Sequence, residues 1–263
     1  MSGGTDKSAA VIAVIAAGAG DETTARARRF AARHGLTMID AAGAGEADLL
    51  LAFTDDRLEL REGSNGRSRP FAIEFSAIDL RTGSGNLSRK QPLARAIGPD
   101  TRTVVDATAG LGHDAVLLAC MGFEVTAIER SPVVAALLED GLRRAMANPA
   151  LALAIGDRLH VVVGEAKDVL PAIDPPPDAV YVDPMYPPKR RKSALARKHI
   201  RLVRAIVGDD PDAAELVRVA RAIALRRVVV KRPHHAPPLA GPPDLEFGGK
   251  LARYDVYLSK ASP

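Results

Sequence analysis

A run of β-forming residues, Val104-Val105-Asp106-Ala107, meets the turn Thr108-Ala109-Gly110-Leu111-Gly112 and passes directly into the helical pattern that starts His113-Asp114-Ala115. Glycines at such a junction let backbone approach a ligand closely, and a new helix presents unpaired N–H groups. Two acidic signals follow at useful spacing. Glu129 closes the next apolar run, Phe123 to Ile128, and Asp183-Pro184-Met185-Tyr186 closes a later one, Ala179-Val180-Tyr181-Val182.

Gly110-x-Gly112-x-x-Ala115 with an acid about 20 residues on also fits a dinucleotide fingerprint, and alone it would also fit a plain strand–turn–helix junction. Asp106 favours a different ligand. It lies four residues before Gly110, where a carboxylate repels a pyrophosphate but attracts an ammonium. S-adenosylmethionine has an ammonium and no phosphate. On this reading Asp106 and the Gly110–Gly112 turn hold the amino-acid end of the cofactor, Glu129 accepts the ribose hydroxyls, and Glu165 with Ala166 lies along the adenine edge. Asp183-Pro184-Met185-Tyr186 then receives the acceptor. The lone pair of an exocyclic base amine is delocalised into the ring. A carboxylate and a backbone carbonyl that accept its two N–H bonds help localise that lone pair. Pro184 stiffens the loop and offers only its carbonyl, and Tyr186 is placed to stack on the extruded base. The expected catalytic set is therefore Asp183, Pro184 and Tyr186.

Other chemistries find less support. Carbon-5 methylation of a pyrimidine needs a thiol, and the single cysteine, Cys120, falls in the helix after the glycine turn, where core packing is expected. His234-His235 has no acid or cysteine at ligand spacing, so a loop and no metal site is expected.

The charge distribution points to a polyanion. The chain has 263 residues and a net charge of +4, but from Pro184 to Gly208 there is no acidic residue at all. That window holds Lys189, Arg190, Arg191, Lys192, Arg197, Lys198, Arg201 and Arg204. Such a one-signed block reads as an RNA-binding segment, with a solvated helix face as the alternative. A hydrophobic content of 47% describes a soluble globular chain. One cysteine excludes an internal disulfide, and no apolar run reaches the roughly 18–20 residues needed to span a membrane. Val11 to Ala17 reads as a buried first strand rather than a signal peptide, and a cytoplasmic location is expected.

The elements that must position these residues fall into two regions. Residues 1–85 read as a small α/β lobe, with a strand at Val11–Ala16, a helix at Thr23–His34 and strands near Leu49–Phe53, Leu58–Arg61 and Phe71–Ile78. The last two strands would be joined by the turn Gly63-Ser64-Asn65-Gly66. The Gly18-Ala19-Gly20 and Gly43-Ala44-Gly45 turns lack an evident acidic partner for a second nucleotide site. Residues 86–263 alternate strand and helix. The strands are Thr103–Ala107, Glu124–Ile128, Leu159–Val163, Ala179–Val182, Arg227–Val230 and a closing Tyr254–Leu258. The helices are Asp114–Met121, Pro132–Ala147, Ala166–Pro171 and a long stretch from Ser193 to Leu225. Alternation of this kind predicts a mainly parallel sheet covered on both faces, with ligands at the carboxyl ends of its strands.

Several segments together resemble one family. They are Asp106-Ala-Thr-Ala-Gly-Leu-Gly112, Glu129-Arg-Ser-Pro-Val-Val-Ala-Ala-Leu-Leu138, Asp183-Pro-Met-Tyr-Pro187, Lys192-Ser-Ala-Leu195 and Val228-Val-Val-Lys-Arg-Pro233 with Ala236-Pro-Pro-Leu239. In this order, from about Gly83 to Leu258, they are similar to the RsmJ family of bacterial small-subunit ribosomal RNA guanine-N2 methyltransferases. The resemblance implies a class I methyltransferase fold, Rossmann-like with a mainly parallel seven-stranded sheet. It implies S-adenosylmethionine as cofactor, with contacts at His113-Asp114, Glu129-Arg130, Glu165-Ala166 and Asp183. It also implies guanine N2 of small-subunit ribosomal RNA as acceptor, free or in the assembled subunit. The residues alone leave open the same chemistry on DNA or another RNA, a nicotinamide-dependent oxidoreductase, and a non-catalytic RNA-binding protein.

Overall fold

A computed structural model describes residues 10–63, 69–82, 87–185 and 196–259, the side chains of 196–200 excepted. The chain divides into two compact units, Met1–Ile73 with Pro188–Gly208, and Glu74–Pro187 with Asp209–Pro263.

In the first unit, β1 (Ile12–Ala16), α1 (Asp21–His34), β2 (Thr37–Ile39), β3 (Leu49–Phe53) and β4 (Leu58–Glu62) build a four-stranded sheet in the order β2-β1-β3-β4. The first three strands are parallel and β4 returns antiparallel to β3. The sequence dictates α1 well: Asp21 and Glu22 sit in its first turn, and Gly35 ends it at φ 63°, a left-handed conformation that glycine adopts without a Cβ clash. The predicted strand Phe71–Ile78 does not form. Phe71 makes one antiparallel bridge to Leu60, and the rest stays unpaired. Its period-two pattern survives as burial of Phe71, Ile73 and Phe75, because alternation fixes which side chains turn inward but cannot create a partner strand. Most of the predicted turn, 64–66, lies outside the described residues.

The second unit contains, in chain order, α2 (Pro92–Ile97), β5 (Thr103–Asp106), α3 (His113–Cys120), β6 (Glu124–Glu129), α4 (Pro132–Met146), α5 (Pro149–Ile155), β7 (Leu159–Val163), α6 (Ala166–Val169) and β8 (Ala179–Val182). The helix α7 (Ala196–Val207) belongs to the first unit. Then α8 (Ala213–Ile223), β9 (Arg227–Arg232), β10 (Leu245–Gly248) and β11 (Arg253–Leu258) complete the second. Seven strands form one sheet in the order β10-β11-β9-β8-β5-β6-β7, parallel from β9 to β7 and antiparallel through β11 and β10. The fold is therefore α/β, with a mainly parallel sheet as expected. β11 lies between β9 and β10, so the edge is a strand the sequence did not reveal. The long predicted helix from Ser193 to Leu225 is two helices. Gly208, at φ 74°, and Pro211 lie between them, and both residues stop a helix.

Valine and isoleucine fill the central strands. Val180, Val182, Val228, Val230, Val105 and Tyr257 pack with Leu216, Val217 and Ala220 of α8 into one buried cluster. Chain order runs outward from β5 through β6 to β7 and then returns to β8 on the other side of β5. A crevice opens at such a reversal, outside the carboxyl ends of the strands.

Candidate active site

β5, β6, β7 and β8 are neighbours in the sheet and parallel. Their carboxyl ends therefore carry Asp106, Glu129, the Gly164-Glu165 turn and Asp183 along one rim. The β5 end is built by the glycine turn. Gly110 and Gly112 have φ of 52° and 75°, and a Cβ on Gly112 would lie 2.2 Å from a Leu138 methyl carbon. Only glycine meets both conditions, the left-handed backbone and the close approach to α4.

Glu129 is buried, and its carboxylate ties this turn to β6. One oxygen accepts the Gly110 N–H at 2.9 Å and the other the Ser131 N–H at 2.8 Å. Burial raises its pKa above the usual carboxylate range, against those two bonds. Each carboxylate oxygen keeps a further lone pair for a ligand hydroxyl. Asp106 is also buried, and its Oδ1 accepts the Thr108 N–H at 3.1 Å. Loss of hydration lifts its pKa to about 8. A buried acid in this state fits a cationic ligand group, whose charge would replace the lost solvation.

The sequence did not reveal the ion cluster beside it. Lys231, from β9, places its Nζ 2.8 Å from Asp114 Oδ2 and 2.9 Å from Asp183 Oδ2. Tyr181 donates its hydroxyl to the same Asp114 oxygen at 2.6 Å. Burial alone would lower the lysine pKa, but Asp183 and Asp114 outweigh it and hold the ammonium charged. Asp114 is likewise held below its usual range, because Lys231 and Tyr181 overcome the burial that would raise it. Asp183 goes the other way. Desolvation lifts its carboxyl, Lys231 pulls it back and the Asp114 charge opposes that pull. Its backbone N–H donates to Thr108 Oγ1 at 2.7 Å, which fastens the β8 end to the β5 turn.

The loop after Asp183 has a second anchor. Asp210 accepts the Met185 N–H at 2.6 Å through one oxygen and pairs with Arg130 at 2.5 Å through the other. Arg130 therefore reaches this site through Asp210. His113 is exposed and meets the Phe75 ring edge-on, 5.5 Å between centroids. Glu165 stands just before α6, makes no side-chain capping bond to it and is half-buried, whereas the Ala166 side chain belongs to the buried core, so only its backbone can meet a ligand. Tyr186 and Lys189 to Lys192 lie outside the described residues. Arg197 and Lys198 fall in α7 without described side chains. Arg201 is exposed, 3.6 Å from Glu62.

Two alternative sites take definite form. Asp55 fills the start of α1: it accepts the Ala19 and Gly20 N–H groups at 3.2 and 3.4 Å and the Thr23 hydroxyl at 2.7 Å. The Gly18-Ala19-Gly20 turn thus already holds an anion from its own chain. Cys120 is buried in α3, and burial pushes its thiol to about 11, which leaves almost no nucleophilic thiolate at neutral pH. Among the described residues, no group of three or more histidine, cysteine or acidic side chains could hold a metal ion, and no helix is long and apolar enough to cross a membrane.

The signal for the missed lysine was present. A charged residue inside the strand Arg227-Val-Val-Val-Lys-Arg232 must find partners if it is to be buried, and these lie 48 and 117 positions away. Removing it should be costly. Lys231→Met is expected to destabilise the fold by about 2 kcal/mol, below the full cost of breaking a buried pair because the three side chains are partly exposed. Urea unfolding of the purified variant measures this, and an unchanged midpoint would mean that the carboxylates do not need the lysine.

Comparison with known proteins agrees with this geometry. A family profile described as putative SAM-dependent methyltransferase matches residues 29–259. A protein of Thioalkalivibrio sulfidiphilus, Ribosomal RNA small subunit methyltransferase J, is 44% identical over 92% of this chain and 96% of its own length. The protein of that name from Pseudomonas aeruginosa is 42% identical over 98% of each chain. The crystal structure of a SAM-dependent methyltransferase from Neisseria gonorrhoeae superposes with a TM-score of 0.69 at 30% identity, covering 96% of this chain and 97% of that one. These likenesses set aside the oxidoreductase reading of the glycine turn. The chain belongs to the SAM-dependent methyltransferases, in the family of Ribosomal RNA small subunit methyltransferase J.

Proposed function

We propose that the protein transfers a methyl group from S-adenosylmethionine to the exocyclic N2 of a guanosine in small-subunit ribosomal RNA. The observation that carries this reading is Asp183, at the carboxyl end of β8, bonded to Lys231 and joined through its backbone to the β5 glycine turn. The 44% identity to a ribosomal RNA small subunit methyltransferase supports the choice of substrate.

Bound S-adenosylmethionine supplies a methyl carbon already activated on a sulfonium, so the protein need only align and shield the reactants. Asp106 would take the cofactor ammonium and the Gly110–Gly112 turn its amino-acid end. Glu129 would accept the ribose hydroxyls with its free lone pairs, and Glu165 with the Ala166 backbone would border the adenine. His113, Asp114 and Arg130 complete this side, the last two by holding Lys231 and Asp210 in place. Asp183 and the Pro184 carbonyl would accept the two N–H bonds of the target amine. As the nitrogen forms its bond to carbon and the carbon–sulfur bond breaks, the surplus proton passes to the Asp183 carboxylate. Tyr186 is the candidate platform for the extruded base. The protein would act in the cytoplasm, where its substrate is made. The test is methyl transfer from labelled cofactor to small-subunit RNA and to assembled subunits, with mass spectrometry of the product. Label on a ring carbon or a ribose oxygen would refute the reading.

The basic segment gives a separate expectation. Neutralising Arg190, Arg191, Lys192 and Arg197 together should weaken RNA binding. It should also flatten the dependence of log affinity on log salt by about 0.7 for each single-strand phosphate that the protein no longer neutralises. Lys189, Lys198 and Arg201 would contribute in the same way. Affinity for S-adenosylhomocysteine should hardly move. An unaltered salt slope would return the segment to a solvated surface.

A further inference from the structure

A cleft of about 550 Å³ opens beside the edge of the seven-stranded sheet, lined by Arg89, Ala94, Arg95, Pro99 and Phe247. Of its five described lining residues two are cationic and none is acidic. Both guanidinium groups are held against aromatic rings. Arg95 lies 4.9 Å above the Phe247 ring, and Arg89 lies 4.4 Å above Phe123 while donating to the Met121 carbonyl at 2.7 Å. An arginine fixed in this way presents a flat, charged surface with little conformational freedom left to lose.

The sheet register connects the Phe247 end of this cleft to the reacting centre, while the Arg89 end lies toward the amino ends of the strands, where its guanidinium bonds Met121 in the turn before β6. Phe247 is paired with Tyr254, and Tyr254 with Lys231, which itself bonds Asp183. Paired residues on neighbouring strands project to the same face of a sheet. Phe247, Tyr254 and Lys231 therefore share one row and one face, and the Lys231 ion pair extends that row to Asp183 just past the end of β8, three strand spacings in all, or about 14 Å at ~4.8 Å per strand. That is within reach of a short single-stranded segment whose target base is at Asp183.

We propose that the cleft is a second RNA subsite, which holds a nucleotide flanking the target guanosine with its base on the Arg95 guanidinium and its phosphate against Arg89. Single-stranded RNA is gripped in this manner, by stacking on flat side chains and by cations along the backbone. Ala94 and Pro99 form apolar walls suited to a base, and the absence of a carboxylate among the described lining residues favours a phosphate over a basic partner. The subsite rests on the RNA reading above and adds to it a contact remote from the chemistry.

The experiment uses the full chain and transcribed small-subunit ribosomal RNA. RNA affinity is read by anisotropy in saturating S-adenosylhomocysteine, and KM and kcat are read from methyl transfer. Arg95→Ala and Phe247→Ala should each weaken RNA binding and raise KM about tenfold, with kcat within twofold, since stacking on one base is removed. Arg89→Ala should reduce the salt slope by about 0.7. Arg95→Lys, which keeps the charge and the fold but not the plane, should keep the salt slope and still raise KM. Affinity for S-adenosylhomocysteine should be the same in all four. Unchanged RNA affinity in these variants, or Arg95→Lys binding as wild type, would overturn the subsite. Wild-type protein that binds the RNA but methylates neither the RNA nor assembled small subunits would overturn the proposed chemistry and leave the binding arm to decide the subsite. Wild-type protein that binds neither the RNA nor assembled small subunits would overturn both.

Discussion

Asp183→Ala should depress kcat roughly a thousandfold while RNA affinity stays within a few fold, because a positioned acid–base group contributes mainly at the transition state. The fold should tolerate the change. Lys231 keeps its 2.8 Å contact with Asp114 when Asp183 is removed, so no buried charge is left alone. Asp183→Asn is the stricter variant. It can still accept one N–H through its carbonyl, but it cannot take the proton released as the new carbon–nitrogen bond forms. The pH profile carries the same argument. Asp183 must be ionised to act, and desolvation raises its pKa, so kcat should fall on the acid side at a pH above the ordinary carboxylate range. Lys231 lowers that pKa, so in Lys231→Met the acid limb should move to higher pH. Full activity in Asp183→Ala, or an acid limb unmoved by loss of the lysine, would remove Asp183 from the reaction.

What the sequence disclosed, and what it hid, follows from the range of the interactions involved. β7 and β8 were legible to the residue, since Leu159–Val163 and Ala179–Val182 are short apolar runs bounded by turn residues. The glycine turn was legible because a left-handed backbone leaves a local mark, the glycine itself. α2, α5 and β10 were not. They have six, seven and four residues, too few for a helical or alternating period to emerge. The site followed the same division. Asp106, Glu129 and Asp183 could be placed because each ends a recognisable strand. Lys231, Tyr181 and Asp210 could not, because their importance lies in pairings across the sheet and across 25 to 117 positions of chain. The Phe247 row is visible only from strand register, which depends on where β11 inserts, and the chain order does not announce that insertion. Phe71–Ile78 shows the converse: it reads as a strand, but its alternation decides only which side chains are buried, Phe71, Ile73 and Phe75, and not a pairing.

Glu129→Ala should weaken S-adenosylhomocysteine binding by about 3 kcal/mol, close to a hundredfold. Two effects add. The ribose hydroxyls are deprived of their acceptor, and so, beneath the cofactor, are the Gly110 and Ser131 N–H groups that it now bonds at 2.9 and 2.8 Å. Freed from that bond, the turn would be held against β6 only through the Ala109 N–H, which donates to the Ile128 carbonyl at 2.9 Å, so the amino-acid end of the ligand should suffer together with the ribose. Glu129→Gln separates the two contributions. Its single carbonyl oxygen can satisfy one of the backbone groups, but its amide nitrogen must then face the other, donor against donor. If the carboxylate serves chiefly to brace the turn, the glutamine variant should be nearly as weak as the alanine one, and both should show faster hydrogen exchange at Gly110. If it serves chiefly the ribose, glutamine should recover most of the affinity by donating and accepting at the two hydroxyls. Calorimetry with S-adenosylhomocysteine on the two variants distinguishes these cases. Wild-type affinity in Glu129→Ala would displace the ribose from the end of β6 altogether.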